Sequence, residues 1–238
     1  MKILGIIPAR KGSQGVKNKN LKKLNGKPLI QHTIEEALKS KLDKVVVSTN
    51  NDKIIRLAKK IGAEAPFKRP ENISKNNSHA FEVYRYTLNW VVKNQKFIPD
   101  YVCILYCTTP FRKFTVINDC IKKIKKEKLD WVFSVNEVEH HPYRCMEIKQ
   151  NRLSPVFNKK NTILWGNRQE LPKMFRFNGG VIITKAECIL NNSEYNIDNF
   201  KFRKTKVGYV EMSKEDSLDI DEPIDFKIAS FLIKNRKF

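Results

Sequence analysis

Four short apolar runs constrain this chain of 238 residues more than any other feature. They are KILGIIP (2–8), DKVVVSTN (43–50), DYVCILYC (100–107) and DWVFSV (130–135). None alternates apolar with polar residues, so each reads as a strand buried on both faces of a sheet. Between them the apolar period changes from continuous to helical. GKPLIQHTIEEALKS (26–40) carries a stripe at Leu29, Ile30, Ile34, Ala37 and Leu38, with Pro28 suited to a first turn. NNDKIIRLAKKIG (50–62) has an Asn50 or Asn51 cap and a Gly62 stop. Segments 78–94 and 114–127 repeat the helical period, and 63–67 reads as a short strand. Strand and helix thus alternate over roughly the first 135 residues, which predicts an α/β fold with a mostly parallel sheet covered on both sides.

The rhythm breaks between 136 and 176, a stretch too long for an ordinary connection in a compact domain. We expect a single domain over 1–238 with an inserted arm over 137–176. FNGGVIIT (177–184) returns to the sheet, 206–212 is a late strand, and 222–235 is a closing helix. The chain is 41% hydrophobic, enough for one sizeable core, and no stretch is long and apolar enough to span a bilayer. The N-terminal run stops at Pro8 and lacks a cleavage site, so the expected location is cytoplasmic. Five cysteines without zinc spacing fit that compartment and read as buried thiols.

Forty-six basic and 25 acidic residues give a formal charge of +21. Such a balance suits a polyanionic partner. No basic block interleaved with aromatics, no helix-turn-helix signal and no RNA-binding signature accompanies it, so nucleic acid and membrane are not expected partners. The charge has a sharper focus after the first strand, in GIIPARKGSQGVKNKN (5–20). Ligands of open α/β sheets bind at the carboxyl ends of strands. There Gly12 and Gly15 let backbone approach a phosphate, Ser13 can donate to it, and Arg10, Lys17 and Lys19 can meet its charge. The alternative is a solvated basic loop. Neither a GxGxxG nor a Walker sequence is present.

Near the other end, DSLDIDEPIDF (216–226) places Asp219 and Asp221 two residues apart. On extended chain that spacing puts both carboxylates on one face, where they can share a divalent cation; capping of the last helix by Asp221 is the competing role. In FRFNGG (175–180), Arg176 and Asn178 alternate with phenylalanines before a glycine pair, a pattern suited to ligand contact. His140 and His141 read as hydrogen-bonding loop residues, with a catalytic base as the alternative. Trp90 and Trp131 read as core, and Trp165 as an interface residue.

Taken together, these motifs resemble the CMP-sialic acid synthetases, the acylneuraminate cytidylyltransferases. The likeness begins at IIPARKGSQGVKNKNLKKLNGKPLI and continues through VVVSTN, FKRPENIS, TTPFR, EHHP, NRQELP, FRFNGG and DSLDIDEPIDF, over nearly the whole chain. It implies a nucleotidyltransferase-type three-layer fold with a dimerisation arm, and a homodimer. It also implies a reaction of CTP with a nine-carbon 2-keto acid sugar, with Mg²⁺ as cofactor. By position, Ala9, Arg10, Ser13 and Lys19 would hold the triphosphate, Asn20 the ribose and Arg69 the cytosine. Asp219 and Asp221 would hold Mg²⁺, and with Arg10 and Lys19 would form the catalytic set. Tyr106, Thr108, Arg176 and Asn178 would line the sugar side, and the arm would lend Arg144 and Arg168 to the partner's sugar carboxylate. Relatives that activate legionaminic and pseudaminic acids share most of these motifs.

This chain departs from the pattern at Asn50 and Asn76, where aspartate is often found, and at Tyr106-Cys107, where Gln-Pro is expected. A lysine often stands at Arg144. Tyr106 offers one hydroxyl and a flat ring in place of an amide, which bears on which sugar is accepted. The alternatives are activation of another 2-keto acid sugar, such as 3-deoxy-manno-octulosonate, or a nucleotide-binding homologue without turnover.

Overall fold

The computed structural model describes residues 1–12, 15–157, 167–190 and 205–235. Its centre is a six-stranded sheet in the order β10-β6-β9-β5-β1-β4, formed by β1 (Ile3–Pro8), β4 (Lys44–Ser48), β5 (Tyr101–Ile104), β6 (Trp131–Glu137), β9 (Phe175–Lys185) and β10 (Val207–Glu211). β1 pairs in parallel with β4 and β5, and β6 with β10. β9 is the exception, antiparallel to both β5 and β6. Two minor ribbons complete the strands: β2 (Lys23–Leu24) with β3 (Lys27–Pro28), and β7 (Met146–Lys149) with β8 (Arg152–Pro155).

Each major strand sends side chains to two cores. Ile3 and Ile7 of β1, with Val45 and Val47 of β4, pack under α1 (Leu29–Lys39), α2 (Asp52–Ile61) and α4 (Phe114–Lys126). Leu4, Ile6 and Val46 face the opposite way, against α3 (Ala80–Gln95) and α5 (Ala186–Leu190). Burial on both faces is why these runs are continuously apolar. Each such side chain contributes about 1.5–3 kcal/mol when fully buried. A third cluster joins Val16 and Leu24 to Ile220 and to Phe226 of α6 (Pro223–Asn235), tying the opening loop to the end of the chain.

Details differ from expectation in physically simple ways. The α1 helix begins at Leu29, with Pro28 just outside it in β3. Segment 63–67 makes only an isolated bridge from Glu64 to Val46. Asn51 rather than Asn50 caps α2, accepting from the Lys53 N–H at 2.9 Å, because Asn50 is occupied elsewhere. Gly62 ends α2 at φ 105°, a conformation glycine adopts without strain. Four of the five thiols are buried and Cys145 is exposed. Trp131 is in the core; Trp165 lies outside the described residues.

Candidate active site

Strand order reverses direction around β1, with β4 on one side and β5 on the other, and such a switch leaves a crevice at the carboxyl ends. The antiparallel β9 brings its starting end, Phe175–Asn178, to this same rim. The loop after β1, the loops after β4 and β5, and the acidic segment before α6 therefore converge.

Buried Ala9 fastens the loop's root, its N–H donating to Ser48 O at 2.9 Å. Arg10 Nη1 donates to Gly12 O at 3.0 Å and to Asn76 Oδ1. Asn20 Nδ2 returns to Arg10 O at 3.2 Å. Gly12 has φ 78° and open space around it. Gly15 is required for a different reason: a β-carbon there would sit 2.0 Å from the Asp221 carbonyl oxygen. The loop thus lies directly on the acidic segment. Lys19 fixes the same seam, with Nζ 2.6 Å from Ile220 O and 3.1 Å from Asp221 Oδ1. Ser13 lies outside the described residues.

Ile220 N–H donates to Thr108 O at 2.8 Å, which docks the acidic segment against the loop after β5. Asp219 accepts a hydrogen bond from Thr108, yet its Oδ1 is buried without a partner among the described residues. Burial, and then the neighbouring Asp221, hold its carboxyl above the usual value. The Asp221 side chain is 71% exposed. Helix capping falls to neither: Asp225 Oδ2 accepts from the Asp221 and Glu222 N–H groups at 2.9 and 2.7 Å, while Asp221 pairs with Lys19 and Asp219 with Thr108. Among the described residues no cluster of three or more His, Cys, Asp or Glu could hold a metal. Any cation here would take its remaining ligands from phosphate and water.

Beside the loop is a cavity of about 200 Å³ lined by Arg10, Arg69, Asn76, Tyr84 and Tyr106. Arg69 is 3% exposed; its Nε donates to Ser74 Oγ at 2.9 Å, while its buried Nη2 has no partner among the described residues. Burial, with Arg10 nearby, pulls its pKa down to about 10. The Tyr84 and Tyr106 hydroxyls share a short hydrogen bond, and burial raises the pKa of both phenols. The Tyr106 ring packs against Gly179, where a β-carbon would come within 3.3 Å of it and φ is 68°.

The residues expected to line a sugar separate. Arg176 is half-exposed and pairs with Glu139, Nε to Oε2 3.3 Å. Asn178 is buried beneath the rim. Its Oδ1 accepts from Ser134 Oγ at 2.6 Å and Gly180 N–H at 3.0 Å, so only its unpartnered Nδ2 remains for a ligand. Arg144 ends a 3-10 turn, Pro142–Arg144, at the start of the arm. Arg168 belongs to the turn Arg168–Glu170; its side chain lies outside the described residues. His141 is a hydrogen-bonding loop residue, Nε2 3.0 Å from Pro172 O, and its ring accepts from Tyr143 N–H.

Two residues escaped the sequence reading. Tyr84 lies on the apolar stripe of the helical segment 78–94, where its ring reads as core, although a buried phenol needs a partner, and that need is its signal. Arg112, from TTPFR, is 1% exposed and donates through Nη1 to Tyr106 O (3.1 Å) and Gly180 O (2.8 Å), joining the β5 exit to β9. The departure at Asn50 also has a reason. Its Oδ1 accepts from Lys11 N–H at 2.8 Å while its Nδ2 faces both Glu71 oxygens at 3.3 Å. An aspartate there would face another carboxylate.

Residues 4–236 match the family model described as cytidylyltransferase. The chain is 30% identical to a pseudaminic acid cytidylyltransferase of Campylobacter jejuni, over 98% of this chain and 97% of that one. It is 32% identical to a CMP-N,N'-diacetyllegionaminic acid synthase of Legionella pneumophila, with the same two coverages. A solved structure of a CMP:2-keto-3-deoxy-manno-octonic acid synthetase complexed with CTP shares its fold, at TM-score 0.69 and 16% identity, over 98% of this chain and 99% of that one.

Proposed function

The chain belongs to the cytidylyltransferase family, and from that premise we propose that it joins CTP to a nine-carbon 2-keto acid sugar, giving a CMP-sugar and pyrophosphate. The observation that carries this reading is the seam itself: a basic glycine loop seated on the Asp219–Asp221 segment and locked to it by Lys19. The relatives of similar length, named for pseudaminic and legionaminic acids, support a nonulosonate as acceptor. The likeness to the octonic acid synthetase carries the fold alone.

In the reaction the sugar's anomeric hydroxyl oxygen attacks the α-phosphorus of CTP and gives up its proton to solvent, the bond to the α–β bridging oxygen breaks, and pyrophosphate leaves with the electron pair. Negative charge at phosphorus needs fixed positive groups. Arg10 and Lys19 supply them from opposite ends of the loop. The unpartnered Nη2 of Arg69 is a preplaced donor for a pyrimidine carbonyl in the neighbouring cavity. Tyr106, held by Tyr84, presents a ring and hydroxyl where the acceptor approaches. The residues fit a divalent cation, because Asp219 keeps a buried carboxylate oxygen without a partner beside an exposed Asp221. Asp219 and Asp221 would hold Mg²⁺, which when bound neutralises phosphate charge.

We assign the arm to a homodimer. Its β7–β8 hairpin turns at Gln150 and Asn151, both at positive φ, and sets Ile148 opposite Leu153, 76% and 69% exposed. No helix among the described residues is long and apolar enough to cross a membrane, and buried free thiols fit a reducing cytoplasm. The test is pyrophosphate release from each of the four nucleoside triphosphates with pseudaminic, legionaminic, sialic and 3-deoxy-manno-octulosonic acids. Release with CTP and a nonulosonate is expected. Release with the octulosonate alone would reassign the substrate, and CTP binding without release from any sugar would make the chain a binding homologue.

A further inference from the structure

A second, larger cleft of about 880 Å³ lies on the other flank of the opening loop, between it and the start of α2. Six cations line it, Lys11, Lys17, Lys22, Lys53, Arg56 and Lys68, against two carboxylates, Asp52 and Glu71, a net charge of +4. Both carboxylates are engaged: Asp52 Oδ2 is 2.9 Å from Lys68 Nζ, and Glu71 accepts from Asn50. Among the described residues, by contrast, none of Lys11, Lys17, Lys53 and Arg56 has a carboxylate within ion-pair distance. Four like charges gathered around one concavity without ion-pair partners, though Arg56 lies in the field of Asp52, repel one another, and an anion between them relieves that repulsion.

The lining also says what kind of anion fits. It contains no aromatic side chain and one apolar residue, Leu21, so a nucleobase has nothing to stack on. Single-stranded nucleic acid sites combine basic grooves with stacking platforms, and this cleft has only the first. Arg10, Lys19, Arg69, Tyr106 and Asp219, the residues of the nucleotide site, do not line it. We propose that this cleft is a second anion site, separate from the CTP site, that takes a base-free oligophosphate, of which pyrophosphate is the smallest. The choice of pyrophosphate rests on the cytidylyltransferase reading, since that reaction produces it. The site touches the loop directly: Lys11 and Lys17 line the cleft, and the Lys11 N–H bonds Asn50 on its wall. An occupant would bridge the glycine loop to α2 and so restrain the loop that meets CTP.

The test is calorimetric titration of pyrophosphate and tripolyphosphate into the full chain saturated with CTP, without divalent cations. One further equivalent is expected to bind. In the double variant Lys53→Gln/Arg56→Gln that binding should weaken at least tenfold, with CTP affinity unchanged within twofold and the circular dichroism spectrum intact. Both positions lie on a solvated helix turn outside the nucleotide site. The proposal is overturned if CTP abolishes oligophosphate binding, if the double variant binds as wild type does, or if single-stranded RNA displaces tripolyphosphate at equal phosphate concentration. Should the chain bind no CTP, the reading of the catalytic site fails, while wild type against double variant with tripolyphosphate alone still decides this one.

Discussion

A β-carbon at position 15 would lie 2.0 Å from the Asp221 carbonyl oxygen, a distance no relaxation of side chains can absorb because the obstacle is backbone. Gly15→Ala must therefore lift the loop from the acidic segment. We predict a loss in kcat/KM of about 10²-fold, on the scale of a misplaced catalytic group, with an unchanged far-ultraviolet spectrum. The sequence marked Gly15 as a phosphate-loop glycine, but its partner, 206 positions away, could not be read from it. Asp219 makes a second prediction. Its carboxyl is held above the usual value by burial and by Asp221, so the folded state binds that proton more tightly than the unfolded state. Its contribution to stability is then greatest below the ordinary carboxylate value, falls as pH rises from there through the raised one, and stays lower above it. Asp219→Asn should melt no lower than wild type at pH 7, and the two melting temperatures should converge as pH falls toward about 4. A markedly lower melting temperature at pH 7 would show that the ionised carboxylate stabilises the fold.

At the scale of elements, the strands and helices were legible because burial on two faces and on one stripe leaves distinct periods. Direction was not: the pattern of 177–184 is the same for a parallel or an antiparallel strand, and β9 runs opposite to its neighbours. That reversal brings Arg176 to the rim and gives Arg112 its task. Buried, with its pKa drawn down to about 10 by desolvation, Arg112 satisfies carbonyls of two elements that the sheet ladder leaves over. Arg112→Met fills similar space but strands Gly180 O, while Thr33 Oγ1 still donates to Tyr106 O at 3.4 Å. We predict a loss of about 1–3 kcal/mol in urea denaturation, from one unsatisfied buried group. The capping of α6 by Asp225 was equally hidden, since DSLDIDEPIDF offers several carboxylates and only the path of the chain selects one.

At the scale of the molecule, the sheet order gathers residues from both ends of the chain at one rim, and the β7–β8 hairpin follows the end of β6 there. The exposed Ile148–Leu153 pair is apolar surface that a second copy would bury. Ile148→Asp/Leu153→Asp should run as a monomer in size-exclusion chromatography with light scattering. If the partner's arm contributes Arg144 and Arg168, the sugar KM should also rise by about tenfold or more while CTP affinity holds. The most direct test of the central claim, that loop and acidic segment form one CTP site, sets wild type beside Asp219→Asn. Pyrophosphate release with CTP and a nonulosonate is measured for both, alongside CTP binding. Wild type should release pyrophosphate only when both substrates are present, and Asp219→Asn should remain folded but turn over at least about 10²-fold more slowly. A wild-type rate in the variant would contradict the claim.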